Sequence, residues 1–284
     1  MVPFDGSFQI GESSTSPPAG APGKGACKRA LKDQVKAFRD LQDRLYASDS
    51  HSVLLVFQAM DAAGKDSTIR AVTSGVNPAG FQVHSFKSPS KEELDHDFLW
   101  RTNRALPERG RIGVFNRSYY EETLVVRVHP EFLAGQRLPV VSDTIWEQRY
   151  ASIRSMEEHL AHNGTLVLKF WLNVSRREQL ERFKARIDRP EKNWKFSETD
   201  LAESRRWNSY MEAYEQTLNA TSRPWAPWFA IPADDKPFMR LTVARIVVDA
   251  IAHLDLQYPK LQQEQAGRLD EMRDAIVDEL DQLG

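Results

Sequence analysis

Phe57–Arg70 reads FQAMDAAGKDSTIR and grows out of the unbroken apolar run SVLLVF at 52–57. A short apolar run of this kind suits a strand buried on both faces. A buried strand leading into Gly64-Lys65 and then a helix is the setting of a phosphate-binding loop, whose usual pattern is G-x-x-x-x-G-K-[ST]. Three positions are altered here. Ala59 replaces the first glycine, Asp66 replaces the hydroxyl residue that would hold magnesium, and a second carboxylate, Asp61, lies inside the loop.

The chemistry of such a loop follows from its backbone. A helix start presents unpaired N–H groups and the positive end of the helix dipole, so phosphate oxygens settle there. Ala62, Ala63, Gly64 and Ser67 are the candidates to line that cradle, and Lys65 adds a mobile positive charge. Carboxylates facing phosphates repel them unless a metal ion sits between, and Mg²⁺ favours carboxylate and phosphate oxygens together. Asp61 is therefore a candidate metal ligand, direct or through water. Asp66 either shares that role or serves the helix dipole.

Working outward, four more apolar segments follow: FQVHSFK (81–87), RIGVFNR (111–117), TLVLKFW (165–171) and WFAIPA (228–233). Helical patterns at Lys65–Ser74, Lys91–Leu106 and Asp143–His162 lie between them. Alternating strands and helices predict an α/β fold, a five-stranded parallel sheet flanked by helices in three layers. Ligands gather beyond the carboxyl ends of such strands. The third strand ends in GVFNRSYYEE (113–122), which aims Asn116, Arg117 and Glu121 at the loop. Arg117 either stabilises charge on a transferring phosphoryl group or pairs with a glutamate on the rim.

The remaining segments set the domain limits. Residues 1–26 are rich in Gly, Ser and Pro and are expected to form a flexible tail or a wrapping arm. Lys28–Ala47 has helical spacing. Between the fourth and fifth strands, Ser175-Arg-Arg-Glu178 has the form of a capping box, so a helix should run to about Ile187. The polar stretch DRPEKNWKF (188–196) should be irregular, and a second helix should carry Trp207, Tyr210 and Tyr214. This insertion, about 175–220, is a candidate lid. Pro237–Leu256 and the acidic Lys260–Leu283 read as two further helices, so residues 27–256 form the expected catalytic domain and 257–284 a peripheral helix.

Bulk composition narrows the class of partner. The chain has 284 residues, 41% hydrophobic and 27% charged, with a formal net charge of −2. That excludes a generally basic nucleic-acid binder, yet Arg176–Arg206 carries ten Lys/Arg against seven Asp/Glu, a local anion-attracting surface. The single cysteine, Cys27, excludes a disulfide framework. No H-E-x-x-H or C-x-x-C pattern offers a zinc site. The N-terminus lacks the form of a signal peptide, and no apolar run spans a bilayer. A cytoplasmic protein without membrane partners is expected.

Six blocks then acquire a joint meaning. AMDAAGKDST, SGVNPAG, HDFLWR, VFNRSYYEE, RIDRPEKNWKFS and APWFAIPADDK occur in an order and spacing that resemble the polyphosphate kinase 2 family, over about Lys28–Leu256. The resemblance implies a P-loop kinase core with a helical lid. It implies phosphoryl transfer from inorganic polyphosphate to AMP or ADP, giving ADP and ATP, with Mg²⁺ or Mn²⁺. By the same likeness Asp61, Lys65 and Asp66 match loop residues for metal and phosphate, and Asn116, Arg117 and Glu121 match the second motif. Arg182, Arg186, Arg189 and Lys192 fall in the lid. With Lys87 and Arg101 they would hold the polyanionic donor. The NRS-[HY]-Y-E form resembles the subgroup acting on both AMP and ADP. A homo-oligomer, dimer or tetramer, is expected.

The rival readings are an ADP-only enzyme, an ATP-dependent nucleoside monophosphate kinase of the thymidylate type, and a non-catalytic polyphosphate or nucleotide sensor. Trp100, Trp194 and Tyr120 either stack on a base or pack, and His96 either contacts substrate or is structural.

Overall fold

The computed structural model describes residues 1–195, 197–261 and 263–283; the side chains at 192, 194, 195, 198 and 263–267 lie outside that description. In chain order the elements are α1 (Lys24–Ser48), β1 (Ser52–Gln58), α2 (Lys65–Val72), β2 (Phe81–Ser85), α3 (Lys91–Leu94), α4 (Trp100–Asn103), β3 (Ile112–Asn116), α5 (Val125–Val128) and α6 (Ile145–His162). Then follow β4 (Thr165–Asn173), α7 (Arg176–Ile187), α8 (Glu198–Arg205), α9 (Trp207–Thr221), β5 (Trp228–Pro232), α10 (Lys236–Ala252) and α11 (Gln263–Leu283).

The five strands form one parallel sheet in the order β2-β3-β1-β4-β5, with helices over its faces. β1 is buried at every position, as its unbroken apolar run requires, whereas the edge strand β2 is mostly exposed. Register decides where chemistry can occur. Phe57 at the end of β1 lies beside Asn116 at the end of β3 and Phe170 in β4. The loop after β1 and the turn after β3 therefore leave the sheet at the same level. The chain passes from β1 to β2 and β3 on one side and then crosses to β4 on the other, which opens a crevice at the end of β1.

Several expected boundaries shift. Residues 1–26 are an arm tied to the body, not a flexible tail. Val2 N–H donates to the Trp228 carbonyl (2.8 Å), Asn219 exchanges hydrogen bonds with the Phe8 backbone, and Asp234 N–H donates to Thr15 O (3.0 Å). Phe8 also meets Trp171 edge-on at 6.2 Å. α1 starts at Lys24, inside the span assigned to the tail.

The helix expected over 91–106 is broken into α3 and α4. A capping box between Ser90 and Glu93 starts the first turn, and Asp97 Oδ1 then takes the Leu99 N–H and opens a second. A short polar side chain competes with the helical ladder in this way.

The insertion between β4 and β5 differs in detail too. Ser175 Oγ caps α7 by accepting from Glu178 N–H (3.2 Å), but the box is only half closed. The Glu178 carboxylate turns to Arg182 (2.7 Å) instead, and Ser175 N–H finds Asp234 Oδ1 (2.8 Å). A 3₁₀ turn occupies Pro190–Lys195 where an irregular loop was expected, and the second lid helix is divided at Arg206 into α8 and α9. Among the described residues no helix is long and apolar enough to cross a membrane.

Candidate active site

The loop between β1 and α2 is built on two unusual backbone conformations. Ala62 has φ +61° and Gly64 φ +112°. Left-handed geometry suits glycine and costs an alanine about 1–2 kcal/mol. Such strain, where the surroundings enforce it, collects at functional sites. Gly64 is constrained further, because an added Cβ would stand 3.3 Å from Met239 Cε. The turn directs the first N–H groups of α2 into the crevice, the arrangement that receives anions.

Lys65 begins α2 and folds back on the loop, its Nζ donating to Ala59 O at 2.6 Å. Burial, with Arg117 adding to it, lowers the lysine's pKa, while Asp61, Glu121 and Asp66 oppose that shift. Ser67 Oγ donates to Gly64 O (3.0 Å).

The turn after β3 supplies the second wall. Arg117 also sits at positive φ (+64°), and its N–H donates to Phe57 O (3.1 Å), pinning it to the end of β1. Its guanidinium bonds Asp61 Oδ1 at 2.9 Å and lies 3.9 Å from Glu121. Glu121 first, and Asp61 with it, hold the arginine's pKa above its ordinary value. Asn116 Nδ2 donates to Asp66 Oδ1 (2.7 Å). Each aspartate thus engages one oxygen with a residue at or just past the end of β3, and its other oxygen carries no hydrogen bond among the described residues. Two carboxylates with an oxygen each to spare, beside a phosphate cradle, fit a Mg²⁺ or Mn²⁺ ion that draws its other ligands from phosphates and water.

A groove of about 1090 Å³ runs across this edge of the sheet. It brings together the loop from Asp61 to Ser67 with Asn116 and Arg117, as the sequence suggested, and adds Lys87, Arg186 and Arg189. Two expectations need correction. Arg101 lies away from the groove, its guanidinium on Lys87 O (2.8 Å), near Glu93 and over the Phe86 ring. Arg182 reaches the loop, yet its donors are all engaged: Glu178, Ala62 O, Ala63 O (2.6 Å), Ala233 O (2.7 Å) and Asp234 O. It lines the groove and braces the loop, but has no donor left for a substrate. The side chains of Lys192 and Trp194 fall outside the described residues.

Glu121 is partly buried beside Arg117 and is not among the residues that line the groove. Burial raises its pKa above 4.5, against the pull of Arg117 and Lys65. The ionised form is therefore less favourable in the folded protein than in the unfolded chain, so this group's contribution falls as pH rises from 4.5 through the folded value. Glu121→Gln is expected to raise the melting temperature at pH 7, with the gap closing below pH 4.5. A lower melting temperature for the variant at pH 7 would refute this reading of the site.

Three contributors were not visible in the sequence. Gln179 donates to Asp61 O (3.0 Å) and is itself held by Ser204 Oγ. Gln58 Nε2 donates to the buried Ser118 Oγ (3.2 Å), which also accepts from Tyr120 N–H and so shapes the turn after Arg117. Asp200, from α8, faces the groove and pairs with Arg186 (3.6 Å); burial and then Asp61 raise its pKa. His96 stacks on Trp100 at 3.9 Å, with Arg104 over the same ring.

Comparison with known proteins places this geometry. The family model described as Polyphosphate kinase 2 matches residues 23–259. An ADP-polyphosphate phosphotransferase of Rhodopseudomonas palustris is 54% identical over 250 residues, covering 87% of this chain and 86% of that protein. An AMP/ADP-polyphosphate phosphotransferase of Meiothermus ruber is 44% identical over 238 residues, covering 84% and 86%. The crystal structure of Polyphosphate Kinase 2 from Arthrobacter aurescens TC1 superposes with a TM-score of 0.87 at 36% identity, covering 96% of this chain and 93% of that one.

Proposed function

Because the chain belongs to the polyphosphate kinase 2 family, we propose that it transfers phosphoryl groups from inorganic polyphosphate to ADP and AMP. The observation that carries the reading is the groove itself. A phosphate cradle and an arginine on facing strand ends share one open channel with Lys87, Arg186 and Arg189. Such a channel suits two polyanions meeting end to end.

Both reactants already carry anionic oxygens near neutral pH, so no general base is required. The protein must align donor and acceptor and offset their charge. The N–H groups at Gly64 and the start of α2 receive phosphate oxygens, with Lys65 beside them. Arg117, fixed by Asp61 and Glu121, faces the equatorial charge of the group in transit. Arg186 and Arg189, from the lid, and Lys87, from the end of β2, steer the donor and close over it, and exclusion of water limits hydrolysis. Asp61 and Asp66 would hold a Mg²⁺ or Mn²⁺ ion, which would supply positive charge to offset that of the phosphates.

The acceptor is argued from Asn116. An amide there donates to Asp66, where a carboxylate would add a third negative charge facing the acceptor. A second reading, ADP alone, is favoured by the higher identity to the relative named for ADP than to the one named for both. Purified protein given long-chain polyphosphate and Mg²⁺ with AMP alone is expected to yield ADP and then ATP, resolved by ion-exchange chromatography. Product from ADP only would select the second reading. Transfer only from ATP would refute polyphosphate as donor.

A further inference from the structure

We propose that His129 is a positioning residue for the groove: its charged ring clasps Glu203 and so fixes α8, the helix that steadies Gln179 against Asp61. The proposal rests on the phosphoryl-transfer reading above.

α8 has no apolar face to dock it. Among its described side chains only Asp200, Glu203 and Ser204 are withdrawn from the surface, whereas Leu201 and Ala202 are exposed. The three polar residues fall at i, i+3 and i+4, on one side of the helix. Directional contacts must therefore do what hydrophobic burial does for other helices.

Each of the three is engaged. Ser204 Oγ donates to Gln179 Oε1 (2.8 Å), and Gln179 Nε2 donates onward to Asp61 O (3.0 Å). Asp200 lies 3.6 Å from Arg186 at the groove. Glu203 Oε2 accepts from Tyr210 Oη (2.5 Å) and lies 2.8 Å from His129 Nε2. Gln179 and Arg186 belong to α7 and Tyr210 to α9, all within the insertion between β4 and β5. Of these partners only His129 comes from outside that insertion.

His129 is itself well held. It ends α5, its N–H donating to Val125 O (2.9 Å), and its ring stacks on Phe132 at 5.2 Å. Val126 and Leu133, on either side of it in the chain, are buried. A firm platform thus meets a helix that lacks one.

The neighbours of the ring call for an imidazolium. Nδ1 lies 3.1 Å from Glu131 Oε1 while Nε2 faces Glu203. A neutral imidazole has one N–H, so one carboxylate would meet a lone pair; the protonated ring donates to both. A backbone hydrogen bond at Glu131, and then His129, lower the Glu131 pKa, with Arg206 acting in the same direction. Burial and then Glu203 raise the Tyr210 pKa, so the phenol stays a donor. Arg127, two residues before the ring, is engaged by Tyr150 Oη (3.0 Å). When the ring loses its proton, the exposed Glu131 can turn to water, and the bond to Glu203 loses the charge that makes it strong.

The test uses two variants that divide the ring. In His129→Gln the amide nitrogen stands near the place of Nε2 and can still donate to Glu203. In His129→Asn it stands near the place of Nδ1 and reaches only Glu131. Turnover with polyphosphate and ADP is expected to fall about tenfold in His129→Asn, the worth of one charge-assisted hydrogen bond, with the KM for ADP unmoved. His129→Gln should keep most of it. Amide hydrogen exchange along α8, which needs no turnover, should quicken in His129→Asn alone. The ratio of wild-type to His129→Gln turnover should fall as pH rises through about 6 to 8, where an imidazole gives up its proton. Ser204→Ala cuts the same relay at Gln179 and should lower turnover like His129→Asn, which covers the case in which that variant does not fold.

Equal losses of turnover and of melting temperature in the two His129 variants would make the residue a packing element and overturn the clasp. A ratio that stays flat with pH would refute its charge. Wild-type exchange and turnover in His129→Asn would sink it outright. A wild type that transfers nothing, with α8 exchange still split between the variants, would sink the transferase reading while supporting the clasp.

Discussion

Asp61→Asn is expected to lower phosphoryl transfer on the order of a thousandfold while leaving the melting temperature within a few degrees of wild type. The isosteric change separates two roles. Asp61 holds Arg117 through Oδ1 at 2.9 Å, and an asparagine can still accept that hydrogen bond. What it cannot supply is the negative charge on the oxygen left over, which the proposed divalent ion would need. If orienting Arg117 were the whole role, the variant would keep most of its turnover.

Stability should change little, because the side chain is partly exposed and loses a repulsive neighbour in Asp200 as well as an attractive one in Arg117. Two measurements decide the matter: turnover at saturating Mg²⁺, and Mn²⁺ affinity in the presence of polyphosphate, which needs no turnover. Wild-type values for both would remove Asp61 from metal binding.

The reasons this site was legible in the sequence are local. A strand buried on both faces reads as an unbroken apolar run, and the glycine and lysine that follow mark the loop within a few residues. Asn116 and Arg117 could be assigned because a parallel sheet sends its strand ends to one edge, a rule that needs only strand order. Interactions that join distant segments left no such trace. Arg182 looked like a free lid cation, since sequence shows its charge but not the four carbonyls, from Ala62, Ala63, Ala233 and Asp234, that it meets. Arg101 failed for the same reason. Its apolar and carbonyl partners come from the chain near Phe86 and Glu93, folded against it. The helix break at Asp97 depends on a single side chain competing with the backbone, which periodicity averages away.

The buried centre of the molecule carries a second large effect, which periodicity also hides. Lys169 lies in the middle of β4 and looks like a flaw in an apolar strand, yet it is fully buried. Its Nζ donates to Glu157 Oε2 (2.6 Å), Tyr120 Oη (2.8 Å) and Thr221 O (2.8 Å). Glu157 Oε1 in turn accepts from Tyr119 (2.8 Å) and Tyr120 (2.7 Å). Burial brings the lysine's pKa down to about 8 even though Glu157 pulls it up. A charge so expensive to bury is tolerable only while its partner is present.

Lys169→Met is therefore expected to cost about 3–5 kcal/mol, the penalty for stranding the Glu157 carboxylate in the core. For a chain of this size that is a fall in melting temperature of roughly 10 °C. Lys169→Met combined with Glu157→Gln should recover most of the loss, because the amide oxygen still accepts from both tyrosines and no charge is left unpaired. A double variant as unstable as the single one would mean that packing around Lys169, not its charge, holds the network.

The effect should reach the groove as well. Tyr119 and Tyr120 lie between Arg117 and Glu121 in the chain, so the network fixes the turn that aims the arginine. Turnover of the folded double variant, measured well below its melting temperature, should fall if this anchoring sets the Arg117 geometry. Unaltered turnover would confine the network to stability.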